Sequence, residues 1–283
     1  MATDLVIAIA VMTIVSAVCG WIAARLAYSD RGQWNIAFLA VAVLSTVFFL
    51  FYGSGQLFWA RLVPLSAAII YTNLSAIFAA LAAGWAWRVP ETPAWRRGLL
   101  VAALGAGAMM AITWPLLSIA VRPPPAGGDH WENGVALQTS WATCSPAAAA
   151  TLFRAEGIPV SEAEMIPLCL TDASGTPTLG VYRGIKQIAD RNAREVVLVG
   201  GTGDDLIAED DWPVLLAVEL PYGVDDRRYV DQWGWIPGMG HSVVALGTTP
   251  AGDLLIGDPS VGLELWTEAD LRVLWHGAGI RVK

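Results

Sequence analysis

Four long apolar stretches dominate the first 122 residues of this 283-residue chain. They cover residues 5–24, 34–52, 62–87 and 99–121, and none of them contains a formally charged side chain. At a rise of 1.5 Å per residue, each stretch is long enough to cross the hydrocarbon core of a bilayer as a helix. We therefore predict a transmembrane domain of four helices in residues 1–122, with the lipid bilayer as one partner of the chain.

The arginines of this region predict its orientation. Five of them flank the loops after the first and third apolar stretches, and two lie on the other side: Arg25, Arg31, Arg88, Arg96 and Arg97 against Arg61 and Arg122. The positive-inside rule places the arginine-rich loops in the cytoplasm, so both termini lie outside. The first stretch lacks a basic start and a small-residue cleavage site, which favours a retained helix over a signal peptide. We predict an integral protein of a bacterial cytoplasmic membrane with an extracytoplasmic C-terminal domain.

The two halves of the chain differ in charge. Residues 1–122 carry a net charge of +4 and residues 123–283 a net charge of −12, which together give the −8 of the whole chain. An acidic second half argues against nucleic acid as a partner. Pro and Gly in residues 123–130 predict a short linker, and residues 131–283 are enough for one domain with its own core.

Helical patterns precede strand patterns in this second half. The segments "SPAAAATLFRAEG", "SEAEMIPLCL" and "TLGVYRGIKQIADRN" predict helices, the second with Ser161 and Glu164 as a capping box. The segments "REVVLVG", "WPVLLAVEL", "HSVVALGTT" and "DLLIGDP" predict short strands. This order is typical of an α+β domain with a largely antiparallel sheet. "GGTGDD", residues 200–205, lacks the Lys of a phosphate-binding loop and is predicted to be a turn.

Cys144 begins the first of these helices and is the candidate nucleophile. A helix N-terminus lowers the pKa of a thiol because its free N–H groups and its dipole favour the anion. A cysteine hydrolase also needs a base and a group that orients the base. His130 lies in the linker and His276 near the C-terminus, so His241 is the candidate base.

Asp258 is the candidate for the orienting group. His241 begins one predicted strand and Asp258 ends the next, so a tight turn between two antiparallel strands would bring the two side chains together. Gln138 lies six residues before Cys144, where its amide can turn back toward the thiol and donate a hydrogen bond to a developing oxyanion.

This set of residues resembles the papain-like C39 peptidases. The shared pattern is Gln-x5-Cys-(Gly/Ser)-Pro-Ala, then Gly-His at a strand start and Asp-Pro after the next strand, and it covers most of residues 131–270. The resemblance implies an α+β papain-like fold, with Cys144 as nucleophile, His241 as general base and acid, Asp258 as orienting group and Gln138 as oxyanion donor. "SGTPTLGVYRGI" resembles the helix start beside the family's cleft, which implies roles there for Gly175 and Thr176. Ser145 departs from the family's usual Gly, and an extracytoplasmic domain departs from its usual cytoplasmic location.

The predicted function is therefore that of a membrane-anchored cysteine peptidase acting on a peptide or protein, without a cofactor or a metal site. The loop "YVDQWGWIPGMG" predicts a wall of the substrate cleft that includes Trp233, Trp235 and Gly240, or alternatively a loop packed over the sheet edge. A disulfide between Cys144 and Cys169 would instead make the domain a silent module that binds peptide or cell wall. A transpeptidase or amidase with the same thiol is a further alternative, and a membrane partner protein is left open.

Overall fold

The computed structural model describes residues 3–26 and 32–283 of the chain. Contacts within the chain divide it into two compact units, Met1–Ser118 and Ile119–Lys283. The predicted cytoplasmic loop with Arg31 lies outside the described residues.

The first unit consists of helices. Its elements are α1 (Thr3–Leu26), α2 (Gly32–Phe48), a π-helical turn (Phe49–Gly53), α3 (Trp59–Leu62), α4 (Ala68–Tyr71), α5 (Ser75–Ala86) and α6 (Ala94–Val121) up to Ser118. Within the described residues, four segments are long and apolar enough to cross a membrane: Thr3–Leu26, Gln33–Gly53, Ala68–Ala86 and Ala94–Val121. The four apolar helices predicted from the sequence are therefore confirmed.

The third apolar stretch is not one continuous helix, although residues 62–87 were predicted as a single span. The chain breaks between α4 and α5, where Asn73 donates from Nδ2 to the carbonyl oxygen of Ala111 on α6 at 2.9 Å. The hydroxyl of Ser75 also bonds to Oδ1 of Asn73. At the break, the Asn73 side chain thus has one partner on another helix and one two residues away, and such side-chain bonds compete with the backbone pattern of a helix.

The second unit is an α+β domain. Its helices are α7 (Cys144–Ala155), α8 (Glu162–Leu168), α9 (Thr178–Arg191), α10 (Gly203–Glu209), α11 (Arg228–Asp231) and α12 (Glu268–Leu274). Its strands are β1 (Trp131–Glu132), β2 (Val135–Ala136), β3 (Val196–Val199), β4 (Val214–Glu219), β5 (Gly240–Thr248), β6 (Leu254–Asp258), β7 (Gly262–Trp266) and β8 (Trp275–Val282).

Six of the strands form one sheet in the order β3-β8-β4-β5-β6-β7, and every neighbouring pair is antiparallel. The predicted fold class, with helices first and an antiparallel sheet afterwards, is confirmed. The antiparallel strands β5 and β6 are joined by a short turn, so the start of β5 and the end of β6 lie side by side. These two strand ends carry His241 and Asp258.

Helix α7 packs against one face of this sheet and is buried from Cys144 to Phe153. Successive strand residues point to opposite faces. Ile256 accordingly belongs to an apolar cluster with Trp233, Trp235 and Trp266, whereas a Cβ at Gly257 would lie 3.3 Å from Cγ2 of Thr151 on α7. The sheet therefore separates the helix that carries the thiol from a tryptophan-rich layer.

Side-chain caps fix several helix starts. The predicted capping box of Ser161 and Glu164 is present at α8. Residues 200–205 were predicted as a turn, but Thr202 and Asp205 form another capping box there and α10 begins at Gly203. The Thr-x-x-Asp spacing carried this signal in the sequence.

Residues 122–130, which include the predicted linker, are bonded to the α+β domain. Arg122 forms a 2.8 Å ion pair with Asp172. The backbone N–H of Gly128 donates to Oε2 of the buried Glu162 at 2.7 Å, and Oε1 of the same carboxylate accepts from the backbone N–H of Thr139 at 2.8 Å. Glu162 thereby ties this segment to the stretch that leads into Cys144.

Candidate active site

Cys144 is the first residue of α7, directly after a short 3-10 turn, Trp141–Thr143. Ser140 caps this turn, since its hydroxyl oxygen accepts from the N–H of Ala142 at 3.3 Å and its own N–H donates to Oγ1 of Thr143 at 3.1 Å. The cap fixes the direction in which the chain enters the helix. The Cys144 side chain therefore lies at the positive end of a twelve-residue buried helix, as the sequence predicts.

His241 and Asp258 lie side by side at the ends of β5 and β6. Nε2 of His241 is 2.8 Å from Oδ1 of Asp258. The fully buried carboxylate also accepts from Nε1 of Trp235 at 2.8 Å and from the backbone N–H of Ser260 at 2.7 Å. Three donors thus hold Asp258 in one orientation, and Asp258 in turn holds the imidazole.

The thiol and the imidazole shift each other's pKa. Burial alone would raise the pKa of Cys144, but the hydrogen bond and positive charge of His241, aided by Ser145 and the backbone of Ser242, lower it below its ordinary value. Burial alone would lower the pKa of His241, but its bonds and charge interactions with Asp258 and Cys144 raise it. Because Nε2 faces Asp258, Nδ1 is the ring nitrogen left for the sulfur. This arrangement favours a thiolate–imidazolium pair.

Gln138 lies next to the segment that follows Asp258. Its backbone N–H donates to the carbonyl oxygen of Pro259 at 2.9 Å. Its side-chain oxygen Oε1 is buried and has no hydrogen-bond partner in the described part of the chain. The free hydrogen-bonding capacity of this amide therefore lies on its acceptor oxygen.

Thr176 lies close to the turn before Cys144, and Gly175 is its neighbour in the chain. Gly175 has a φ of +123° in the tight turn that begins at Asp172, a backbone conformation that favours glycine. Oγ1 of Thr176 lies 3.5 Å from the carbonyl oxygen of Ala142, in the turn before the nucleophile. This contact places Thr176 beside the turn that leads into α7, and Gly175 precedes Thr176 in the chain.

The tryptophan-rich loop packs behind the His241–Asp258 pair. Trp233 and Trp235 are 8% and 5% exposed, so neither indole presents an open surface, while Gly240 at the start of β5 is exposed. The Trp235 ring meets the His241 ring edge-on with 4.8 Å between centroids, and it donates to Asp258. Trp235 therefore contacts both members of the pair, a role that the sequence did not reveal.

Glu264 is a second carboxyl near this pair. It lies on β7 opposite Ile256 of β6, and its Oε2 accepts from Nε1 of Trp266 at 3.1 Å. Burial, followed by the negative charge of Asp258, raises the pKa of Glu264 to about 8. An acidic residue within the otherwise apolar "VGLELW" was the sequence signal for this group.

Cys144 and Cys169 are separate free thiols. Cys169 follows α8 and is fully buried, and burial raises its pKa to about 12. Its sulfur occupies the space beside Gly184 of α9, where an added Cβ would collide with it. Cys169 is thus a packed core residue with a suppressed thiolate, in contrast to Cys144. Across residues 3–26 and 32–283, no group of three His, Cys, Asp or Glu side chains is arranged to hold a metal ion.

Comparison with known proteins finds similarity in structure only. No protein-family model and no curated protein matches the sequence. The chain is similar to the peptidase domain of Streptococcus ComA, a bi-functional ABC transporter involved in a quorum-sensing pathway, at 22% identity over 52% of this chain and 96% of that chain, with a TM-score of 0.40.

Two further solved structures show the same kind of similarity. The peptidase domain of Streptococcus mutans ComA is 21% identical over 53% of this chain and 98% of that chain, with a TM-score of 0.37. A double-glycine-motif protease from the AMS/PCAT transporter, in complex with the leader peptide, is 16% identical over 57% of this chain and 97% of that chain, with a TM-score of 0.42. These three solved structures are peptidase domains of the kind that the C39 resemblance predicted, and each likeness covers little more than half of this chain.

Proposed function

We propose that this chain is a membrane-anchored cysteine peptidase in which Cys144 is the nucleophile. One observation carries the proposal: a cysteine at the start of a buried helix is electrostatically coupled to His241, which is itself bonded to the fully buried Asp258. Cys169, in the same domain, has none of these features. Activated thiols of enzymes lie in such electropositive settings, whereas structural buried cysteines are inert.

The proposed reaction has two steps. The Cys144 thiolate attacks the carbonyl carbon of the scissile peptide bond, and the carbonyl oxygen becomes an oxyanion that accepts a hydrogen bond from the Gln138 amide. The imidazolium of His241 then gives its proton to the leaving amine as the C–N bond breaks, which leaves a thioester on Cys144. His241 next takes a proton from water, the resulting hydroxide attacks the thioester, and the acid product leaves with the thiolate restored.

Asp258 acts through His241 in this scheme. Its negative charge stabilises the imidazolium, and its bond to Nε2 keeps Nδ1 directed toward the sulfur. The buried, already charged pair needs little reorganisation when the substrate arrives, which is the physical advantage of a preformed thiolate.

The four apolar helices are proposed to anchor the peptidase in a membrane. Their length and composition suit a bilayer. The distribution of the arginines favours cytoplasmic placement of the loops after the first and third spans, which puts the peptidase domain outside the cytoplasm. The substrate class is a peptide or protein that reaches that side of the membrane.

The proposed hydrolysis is tested with the full-length protein in detergent, incubated with a peptide mixture in ¹⁸O-labelled water. New C-termini that carry ¹⁸O indicate hydrolysis, while joined peptides without the label indicate a transpeptidase. We expect labelled products from the wild type and none from folded Cys144→Ala or His241→Ala. A fully active Cys144→Ala variant would overturn the mechanism. An inactive wild type whose Cys144 thiol resists alkylation would favour a silent binding module.

The proposed topology is tested by alkylating intact cells with a membrane-impermeant iodoacetamide, followed by mass-spectrometric mapping. Cys19 in α1 and the buried Cys169 serve as internal controls for membrane and core cysteines. We expect rapid labelling of Cys144, with a pH midpoint well below the value of about 8.5 of a free cysteine. Labelling of Cys144 only after lysis would retain the peptidase and reverse the orientation.

A further inference from the structure

The residues that directly follow Cys144 and His241 in the sequence are hydrogen-bonded to each other. Oγ of Ser145 lies 2.8 Å from Oγ of Ser242, and the two side chains are 7% and 5% exposed. Ser145 is in the first turn of α7, and Ser242 is the third residue of β5. This bond therefore joins the element that carries the nucleophile to the element that carries the base.

Both serines also approach the sulfur. Oγ of Ser145 lies 3.9 Å from Sγ of Cys144, within the longer reach of hydrogen bonds to sulfur. The backbone of Ser242 is bonded to Cys144 as well, and both contacts favour the thiolate over the thiol. A hydroxyl has one proton to donate and two lone pairs that accept. When Ser145 donates its one proton to sulfur, Ser242 must therefore be the donor in the bond between the two serines.

We propose that Ser145 and Ser242 form a hydroxyl relay, from Ser242 to Ser145 to the Cys144 thiolate, that positions and stabilises the nucleophile. The proposal rests on the proposed role of Cys144. Hydrogen bonds in such a chain polarise and strengthen one another, and a charged acceptor makes them stronger still. The glycine that C39 peptidases usually have after the cysteine could not supply this donor.

The relay acts on one half of the reaction. Once Cys144 is acylated, its sulfur is neutral and no longer attracts the Ser145 proton, which can turn back toward Ser242. Loss of the relay should therefore slow formation of the thioester below the pH midpoint of the thiol, and leave unchanged the attack of hydroxide on the thioester, which takes place while the sulfur is neutral. If the bond served only to hold α7 against β5, its loss would lower the stability of the domain without slowing acylation more than deacylation.

Site-resolved alkylation of Cys144 with iodoacetamide across pH tests the relay in the full-length protein in detergent. Ser242→Thr and Ser242→Val form a matched pair, since they have nearly the same shape and only Thr keeps the hydroxyl. We expect Ser145→Ala and Ser242→Val to raise the pH midpoint by about one unit, a tenfold loss of reactivity on the acid side of the profile. Ser242→Thr should restore the wild-type midpoint.

Single-turnover kinetics with a peptide ester then separate the two steps. At a pH below the wild-type midpoint, the relay predicts an acylation rate lowered about tenfold in Ser145→Ala, and an unchanged deacylation rate where attack of hydroxide on the thioester limits that step. Wild-type midpoints in Ser145→Ala and Ser242→Val would overturn the relay, whatever the change in thermal stability. If Ser242→Val does not fold, the midpoints of Ser145→Ala and Ser242→Ala test the relay in the same way, because these substitutions add no volume.

The failure of this inference is distinguishable from failure of the proposed function. The wild type can show an acidic pH midpoint for Cys144 alkylation, with Cys144→Ala inactive and the serine variants at the wild-type midpoint. That result would retain the peptidase and remove only the relay. An ordinary thiol midpoint in the wild type, with activity retained in Cys144→Ala, would remove both.

Discussion

Nε2 of His241 lies 2.8 Å from Oδ1 of Asp258, and the Asp258 side chain has no exposed surface. The carboxylate has two further donors in Trp235 and Ser260, so it cannot rotate without leaving a buried donor unpaired. The imidazole ring is fixed by this contact and by the edge of the Trp235 ring. The orientation of the His241 ring is thus set by its contacts with Asp258 and Trp235.

Asp258→Asn tests the electrostatic role of this carboxylate. The substitution keeps the shape of the side chain and removes the charge that raises the pKa of His241. It also replaces one acceptor oxygen by an NH2 group, so two donors face each other. We expect His241 to lose its proton at a lower pH, so the alkaline limb of the kcat/KM profile shifts to lower pH. Hydrolysis near pH 8 should then fall at least about tenfold. A profile measured from about pH 5 to about pH 10 checks this. An unchanged alkaline limb would show that Asp258 does not stabilise the imidazolium.

Trp235→Phe removes the Nε1–H that donates to Asp258 and retains an aromatic ring beside His241. A hydrogen bond to a buried charge is worth about 1.5 to 3 kcal/mol, so we expect both the free energy of unfolding and kcat to fall. Trp233→Phe is the matched control, because Trp233 packs in the same cluster without a bond to Asp258. Chemical denaturation and initial rates of both variants measure the free energy of unfolding and kcat. Equal losses of these quantities in Trp235→Phe and Trp233→Phe would contradict a specific role for Trp235.

These contacts mark the limit of what the sequence could predict. The helix start at Cys144 and the antiparallel strands of His241 and Asp258 follow from local patterns and a short turn, so their approach was predictable. The bond between Ser145 and Ser242 joins residues 97 positions apart, and the bond from Trp235 depends on how a loop folds back over the sheet. Such contacts depend on tertiary packing and side-chain rotamers, which residue spacing does not encode. The break at Asn73 escaped prediction for the same reason, since its partner is on another helix.

Glu264→Gln tests the half-buried carboxyl near Asp258 through the pH dependence of stability. The folded protein holds the Glu264 proton up to a pKa of about 8, whereas an ordinary glutamate has lost it above 4.5. Between these values the native state binds more protons than the unfolded state, so this group lowers the free energy of unfolding as pH rises and adds no further change above about 8.

We therefore expect Glu264→Gln to gain thermal stability relative to the wild type as pH rises through that window, with a constant difference above it. Melting temperatures of the two proteins at a series of pH values provide the check. Glu219→Gln is the control, because Glu219 is exposed at the end of β4. A melting-temperature difference between Glu264→Gln and wild type that does not vary with pH would mean that Glu264 is ionised in the native state at neutral pH.

The close approach of α1 and α5 depends on two glycines. A Cβ at Gly20 would lie 2.8 Å from the carbonyl oxygen of Ala80, and a Cβ at Gly84 would collide with the carbonyl oxygen of Gly20 and approach Cβ of Ala23. Small residues at such positions let apolar helices pack backbone against backbone, which is a main source of helix association in a membrane.

Gly84→Ala should consequently destabilise the helical unit although alanine is the better helix former. The added methyl meets a backbone atom, which cannot move aside as a flexible side chain would, so α1 and α5 must separate. Overpacking of this kind costs about 1 to 3 kcal/mol, more than the ~1 kcal/mol gained in helix propensity. Gly105→Ala is the matched control, since a Cβ there meets nothing within 4 Å. Thermal unfolding in detergent should give a lower melting temperature for Gly84→Ala than for Gly105→Ala, and equal values would contradict the close contact of the two helices.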